Sequence, residues 1–259
     1  MNPAQIEEAG SILQETAVDW RELVAGSEGF LTGKQWRGLY RQEVVWGEMV
    51  SFLSKHIHVR LLIQNLDACH VNNVMYNRYA ESARVNWTLN FAASDPQHKA
   101  EWMELMTPKS VGLILRSIKT DYKFPMKWPD RYDRHYELQH AMSMINKLFN
   151  RITVLHKLRN NPTEDTDHFI LDVLILSEAQ RRPAARCIED IVVYDYRTAK
   201  KSPLPPFMIQ KFQETFRLQE EAKEKNSNRV RVLLDRVREL EKSSWDRPGA
   251  KEDFGSANQ

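Results

Sequence analysis

Cysteine is scarce in this sequence, and long apolar runs are absent. The 259 residues include only Cys69 and Cys187, which excludes a secreted scaffold held by several disulfides and favours a reducing compartment. No apolar stretch approaches the roughly 20 residues that a helix needs to span a bilayer. The first ten residues carry two acids and no apolar signal-peptide core. We therefore expect a protein of the cytoplasm or the mitochondrial matrix, with no signal peptide and no membrane span.

An excess of charge of either sign is also lacking. The formal net charge is +2, which is too small to indicate a nucleic-acid partner. Hydrophobic residues make up 42% of the chain and charged residues 28%, enough for a sizeable core. The mean hydropathy of -0.58 is low for a compact domain, which indicates long solvated helices or tails beside that core.

Hydrophobic periodicity divides the chain into helices and strands. A helical period predicts helices over residues 10–25, 73–93, 96–106 and 208–242. A period of two predicts strands over residues 43–49, 56–64, 113–124, 132–140, 147–157, 168–178 and 184–197. A long helix followed by a run of antiparallel strands is an α+β arrangement.

The helix at residues 73–93 is expected in the centre of the fold, because apolar side chains recur along one of its faces. The face consists of Met75, Tyr79, Ala83 and Trp87, with Val74 and Ala80 beside it. In the C-terminal helix, Phe212 and Phe216 are expected to pack on the domain. The later seam of that helix is expected on a partner or a twin subunit, and it consists of Val230, Leu233, Val237 and Leu240.

Three motifs then carry a family resemblance. The first, from Asp67 to Arg84, reads DACHVNNVMYNRYAESAR; the second, from Ile118 to Pro125, reads IKTDYKFP. The third is VVYDYR from Val192 to Arg197, followed by Leu204-Pro205. Together they resemble the hot-dog thioesterases of the 4-hydroxybenzoyl-coenzyme A type, most strongly the fungal members, over about residues 42–208.

The resemblance implies a hot-dog fold, in which a long antiparallel sheet wraps the helix at residues 73–93. It divides the chain into a helical extension (1–41), the hot-dog thioesterase-like domain (42–208), a charged helix (209–242) and a disordered tail (243–259). Such domains pair as homodimers or as dimers of dimers, and they need no metal and no cofactor. The implied substrate is an acyl-coenzyme A (acyl-CoA).

The resemblance also assigns roles at the start of the central helix. Asp67 is the expected general base or nucleophile, and His70 and Asn72 are expected to shape the loop and hydrogen-bond the substrate. The backbone N–H groups of Asn73 and Val74 are expected to stabilise an oxyanion. Two further residues complete the expected substrate site, Tyr76 and Glu81, with Glu81 pairing locally with Arg84.

Ordinary structural roles compete with these catalytic and substrate-binding assignments. Asp67, Asn72 and Asn73 could serve as turn or cap residues, and Tyr76 and Tyr79 as core. A Cys69–His70 nucleophile is disfavoured, because adjacent loop residues rarely point at one target. His56 and His58 lack a third metal ligand. A last set, Arg181, Arg182 and Arg186, could bind the phosphates of CoA or lie on an ordinary surface.

The sequence departs from the family at the catalytic loop. Leu66 stands four residues before His70, where relatives carry the aspartate, and Asp67 stands three before. Residues 50–66 have no recognised counterpart. This insertion is either a real strand or a retained intron, since Val50-Ser51 is what a common splice-donor sequence encodes. Two functions therefore stay open, an acyl-CoA thioesterase and a catalytically impaired binding or assembly module; a dehydratase on the same fold is the weakest option.

Overall fold

A computed structural model describes residues 1–44, 71–126 and 151–246. Outside those ranges lie the insertion at 50–66, the strands predicted at 56–64 and 132–140, and the end of the polar tail. The chain forms two compact units. One unit is Phe30–Glu220, and the other combines Met1–Gly29 with Glu221–Gln259. None of the described helices has the length and apolar character that crossing a bilayer requires.

The larger unit is built on one antiparallel sheet. Its strands are β1 (Arg37–Glu43), β2 (Val111–Tyr122), β3 (Arg151–Leu158), β4 (His168–Ser177), β5 (Arg182–Asp195) and the short β6 (Lys200–Lys201). They lie in the order β1-β3-β4-β5-β2, and β6 pairs with the end of β5. The expected α+β class and antiparallel sheet are therefore confirmed. The first strand lies earlier than predicted, and its predicted end at 45–49 falls outside the described residues.

The sheet packs on one long helix, as a hot-dog fold requires. The helices of the chain are α1 (Pro3–Val18), α2 (Trp20–Val24), α3 (Asn73–Ser94), α4 (Lys99–Glu104) and α5 (Pro206–Ser243). α3 contains neither Gly nor Pro, begins at the N-cap Asn72 and ends before Asp95-Pro96. Its buried face includes Tyr79, Ala80, Ala83 and Trp87, as predicted. The expectation for Val74 is wrong, because its side chain is 62% exposed.

Two hydrophobic clusters lie between α3 and the sheet. The first packs the early turns of α3 on the sheet and includes Tyr76, Ala83, Val154, Val173 and Cys187. The second packs the later turns and includes Trp87, Phe91, Leu158, Ile191 and Phe212. Phe216 packs against this second cluster, so the expected docking of both α5 phenylalanines is confirmed. The polar Gln219 caps the strand end, exchanging 3.0 Å hydrogen bonds with both backbone groups of Leu158.

The smaller unit is a helical assembly of the two chain ends. Asn2 and Gln5 form a capping box that starts α1 at Pro3, earlier than the apolar pattern indicated. The α5 seam packs inside the chain: Leu233 and Leu240 are buried with Ile12, and Val237 packs against them. The expectation that this seam packs on a partner or twin subunit is therefore wrong. Salt bridges flank the contact, from Arg229 to Glu15 and Asp19 and from Arg236 to Glu8 and Glu15.

Candidate active site

The start of α3 is the part of the predicted site that the structure describes. Asp67 and His70 lie outside the described residues, as do Cys69, His56 and His58. Asn72 is the N-cap, with an extended backbone at φ -60° and ψ 139°. Its side-chain oxygen accepts a hydrogen bond from the Val74 N–H at 3.1 Å. Asn72 therefore takes the cap role that was one of its two sequence interpretations.

The cap changes which backbone groups an oxyanion could use. The Val74 N–H is engaged by the Asn72 side chain, and the Met75 N–H donates to the Asn72 carbonyl at 2.9 Å. The Asn73 N–H has no acceptor among the described residues. Because the helix dipole also places positive potential at this end, Asn73 is the group best able to bind an anion.

Two tyrosines connect α3 to the neighbouring strand. The Tyr122 hydroxyl donates to the Asn73 carbonyl oxygen at 3.3 Å, and its ring meets the edge of Tyr76 at 5.2 Å between centroids. The Tyr76 hydroxyl accepts a hydrogen bond from the Met126 N–H at 3.3 Å. Burial raises the pKa of Tyr76 above its ordinary value. Tyr76 is therefore a neutral core residue, whereas Tyr122 is 42% exposed and reaches the rim of the site.

The predicted pair of Glu81 and Arg84 is not formed. Glu81 lies on the exposed face of α3, whereas the Arg84 guanidinium turns to the sheet and donates to a Glu189 carboxylate oxygen at 2.5 Å. The Nε2 atom of His156 lies 3.6 Å from the other oxygen of Glu189. The side chains of His156 and Glu189 are completely buried. We name Arg84, Glu189 and His156 the core ion network.

The charge state of the network follows from its surroundings. Burial raises the pKa of the Glu189 carboxyl, but His156 and Arg84 lower it further, so the net pKa lies below its ordinary value. Glu189 is therefore an anion at neutral pH. The sequence pattern did not predict this network, although Glu189 occupies an inward register of β5 between Cys187 and Ile191, both buried.

Basic side chains gather near the ends of β2 and β5. The Lys123 ammonium bonds Asp121, and this hydrogen bond is the largest influence holding the pKa of Asp121 below its usual range, with Lys119 and Arg186 adding to it. The Arg182 guanidinium lies 4.1 Å from the centre of the Phe124 ring. Phe124 packs against the first hydrophobic cluster. Among the described residues, the positive charges therefore outnumber the acid at this end of the sheet.

Within the described residues, no group of three or more His, Cys, Asp or Glu side chains could hold a metal ion. Cys187 is buried, and burial raises the pKa of its thiol to about 11. A thiol with that pKa is protonated at neutral pH and is a poor nucleophile.

The solved structures similar to this chain include thioesterases and complexes with CoA. A thioesterase from Thermus thermophilus, complexed with coenzyme A and Zn, is 14% identical over 73% of this chain and 96% of its own, with a TM-score of 0.43. A 1,4-dihydroxy-2-naphthoyl-CoA thioesterase from Synechocystis is 16% identical, covering 57% of this chain and 82% of its own, with a TM-score of 0.36. A protein from Staphylococcus aureus in complex with CoA is 13% identical, covering 61% and 74%, with a TM-score of 0.36.

Family membership rests on the sequence. No curated protein matches the chain significantly. The family model described as the thioesterase-like superfamily matches residues 61–212, well over half of the chain. This range includes α3, β2 to β6 and the first turns of α5. The chain therefore belongs to the thioesterase-like superfamily.

Proposed function

We propose that the protein hydrolyses an acyl-CoA thioester to a carboxylate and free CoA. The observation that carries the proposal is the start of α3, where the Asn73 N–H has no acceptor among the described residues and follows, in sequence, the segment that bears Asp67. Backbone donors at a helix N-terminus stabilise the oxyanion of a tetrahedral intermediate. Superfamily membership supports thioester chemistry, and the CoA-bound neighbours motivate the choice of CoA.

In the proposed reaction, water attacks the thioester carbonyl while Asp67 accepts its proton. The carbon–sulfur bond then breaks, and the CoA thiolate leaves and takes up a proton. Asn73 binds the oxyanion through its N–H, and Asn72 competes with that oxyanion for the Val74 N–H. His70 positions the loop. We assign Tyr76 and Glu81 supporting roles at the acyl site, Tyr76 by holding α3 against Met126.

The phosphates of CoA need cations near the start of α3. We propose Arg182 for this role, because Phe124 holds its guanidinium beside the first hydrophobic cluster. Arg186 and Lys119 add positive potential around Asp121. Guanidinium groups suit phosphate recognition because they offer several donors in a fixed plane.

We further propose that the protein works as a homodimer. β2 pairs with β5 along one side, and within the described residues its other side has no strand partner. Natural proteins cover or pair such an edge. A second copy of the chain is the partner that the family resemblance implies.

The decisive test is a screen of acyl-CoA substrates of increasing chain length, with release of free thiol as the readout. Asp67→Asn should lower kcat by roughly 10²-fold to 10⁴-fold, because it keeps the shape of the side chain but removes the base. His70→Ala should lower it less. Asp235→Asn is the matched control, since Asp235 is an exposed residue of α5.

The same screen separates the second candidate, a binding or assembly module, which Leu66 at the family's aspartate position favours. A chain that binds CoA in calorimetry but hydrolyses none of the thioesters would be that module. If the parent hydrolyses them and Asp67→Asn is equally fast, the base lies elsewhere, and Glu48 is the next candidate.

A further inference from the structure

The core ion network lies at the boundary between the two hydrophobic clusters. On α3, Arg84 directly follows Ala83 of the first cluster and precedes Trp87 of the second. On β3, His156 stands between Val154 and Leu158, which belong to the first and second clusters. Glu189 holds the equivalent position on β5. Three elements that are distant in sequence thus meet at one polar point inside an apolar core.

Stability alone does not explain this arrangement. Moving charged groups out of water is unfavourable, and a buried ion pair commonly stabilises a fold no more than apolar residues of the same volume. The network is also incompletely satisfied, because neither ring nitrogen of His156 has a hydrogen-bond partner and one Glu189 oxygen has none in the described parts of the chain. The network adds a directional constraint on how α3 lies against the sheet, because its hydrogen bond and ion pair require specific atoms to meet. Apolar contacts are not directional in this way.

The early turns of α3 also make neutral hydrogen bonds, from Tyr122 to the Asn73 carbonyl and from Thr120 to the Asn77 side chain. The core ion network adds a charged contact inside the core. Ala80 and Ala83 are small and fully buried, so α3 lies close to the sheet there, and these apolar contacts are not directional. A displaced Arg84 would leave two opposite charges buried and separated, which is strongly unfavourable. The hydrogen bonds from Asn86 to Gly38 and from Asn90 to Arg37 tie only the later turns of α3 to β1.

We propose that the core ion network is a positioning device, which fixes the axial register of α3 on the sheet and thereby the placement of Asn73 against Tyr122. Arg84, Glu189 and His156 are positioning residues and do not touch the substrate. The consequence for rate rests on the proposed function. The consequence for the order of the first turn of α3 is independent of the proposed function. Turnover and hydrogen exchange measure these two consequences separately.

The experiment compares Arg84→Met, Glu189→Leu and the double variant in the full-length chain. Arg84→Met leaves the buried Glu189 with the longer His156 contact alone in the network, and Glu189→Leu leaves Arg84 without its acceptor. Each single change should therefore lower Tm by roughly 10 °C. The double variant removes both charges and should recover most of that loss. The control is the same pair of changes at Arg238 and Asp235, an exposed salt bridge on α5, which should leave Tm within about 2 °C of the parent.

Amide hydrogen exchange then distinguishes positioning from a merely structural role. In the double variant, amides of residues 71–80 should exchange at least roughly tenfold faster than in the parent, while those of residues 86–92 stay protected by the second cluster. A double variant with recovered Tm and parental exchange at residues 71–80 overturns the proposal, because the helix would then be positioned without the network. So does a double variant as unstable as the single ones.

Turnover is the second readout. The double variant should lose roughly 10-fold to 100-fold in kcat with little change in KM, since misplacement of a reacting group by about 1 Å has effects of that size. A parental kcat in the double variant overturns the proposal. If the parent itself hydrolyses no acyl-CoA, the proposed function fails, and hydrogen exchange alone decides the positioning role.

Discussion

At the scale of single residues, Asn72 shows how one side chain can serve structure and chemistry at the same position. Its oxygen satisfies the Val74 N–H, which starts α3 but also occupies a group that could bind an oxyanion. A substrate oxyanion must therefore use Asn73 or displace the cap. This competition makes the charge of residue 72 a sensitive probe of where the oxyanion forms.

Asn72→Asp should separate the two roles. Asp is as good an N-cap as Asn, and its negative charge interacts favourably with the helix dipole by about 0.3–1 kcal/mol. Thermal stability should therefore be unchanged or slightly higher. The same charge repels an oxyanion, so kcat for acyl-CoA hydrolysis should fall by roughly tenfold or more. Asn72→Ser, which caps without charge, is the control, and a parental kcat in the Asp variant would place the oxyanion away from α3.

The sequence predicted some of these residues better than others. Asn72, Tyr76 and Tyr79 follow from local motif and helical period, because their surroundings are set by residues a few positions away. The core ion network does not, since Arg84 and Glu189 are separated by 105 positions. A single polar residue at an inward strand position signals a buried partner, but the sequence does not say which one.

At the scale of elements, α3 was predicted almost to the residue because nothing inside it competes with the helical pattern. The start of α1 was missed because the Asn2–Gln5 capping box lies ahead of the apolar period. The first strand was predicted too far along the sequence, because buried and exposed residues alternate only briefly in β1. A short edge strand shows little alternation of apolar and polar residues, so its position is hard to predict. The strands β4 and β5 are long and central, and their hydrophobic pattern was sufficient to predict them.

The contact between α3 and β1 depends on one glycine. A Cβ atom at Gly38 would lie 2.5 Å from the Ala83 carbonyl oxygen and 2.7 Å from the Ala83 Cβ. Neither atom can move without shifting α3. The close approach is therefore a packing requirement, and a side chain at this position separates the two elements.

Gly38→Ala should destabilise the protein by about 1–3 kcal/mol, as overpacking of a core contact commonly does. Gly10→Ala is the matched control, because nothing lies within 4 Å of a Cβ at that position on α1. It should stabilise by up to about 1 kcal/mol through helix propensity. Urea unfolding followed by fluorescence measures both changes. A Gly38→Ala variant as stable as the parent would mean that α3 and β1 do not approach each other this closely.

At the scale of the whole molecule, the two chain ends build a unit of their own. The a/d seam on α5 was correctly recognised as a packing surface, but its partner was assigned wrongly. A periodic apolar seam specifies that a helix packs on another helix, and it does not specify whether that helix belongs to the same chain. The domain boundaries proposed at residues 41–42 and 208–209 stay predictions.

The packing of the α5 seam against α1 of the same chain leads to a prediction about the mass of the protein in solution. Leu233 is buried against Ile12 of α1 in the same chain, so Leu233→Asp should destabilise the smaller unit by about 2–5 kcal/mol. It should leave the oligomeric state unchanged, because the proposed dimer contact is the edge of the sheet. Light scattering at micromolar concentration should therefore give both proteins twice the chain mass of 30.4 kDa.

Two outcomes would contradict parts of this picture. A parent that is strictly monomeric argues against the dimer, and β2 would then need another cover for its edge. A dimeric parent whose Leu233→Asp variant is monomeric but folded would mean that the seam joins two subunits, with α1 of one chain packing on α5 of the other. Val18→Asp is the control for added charge alone, since Val18 ends α1 with its side chain 65% exposed; it should change neither mass nor stability.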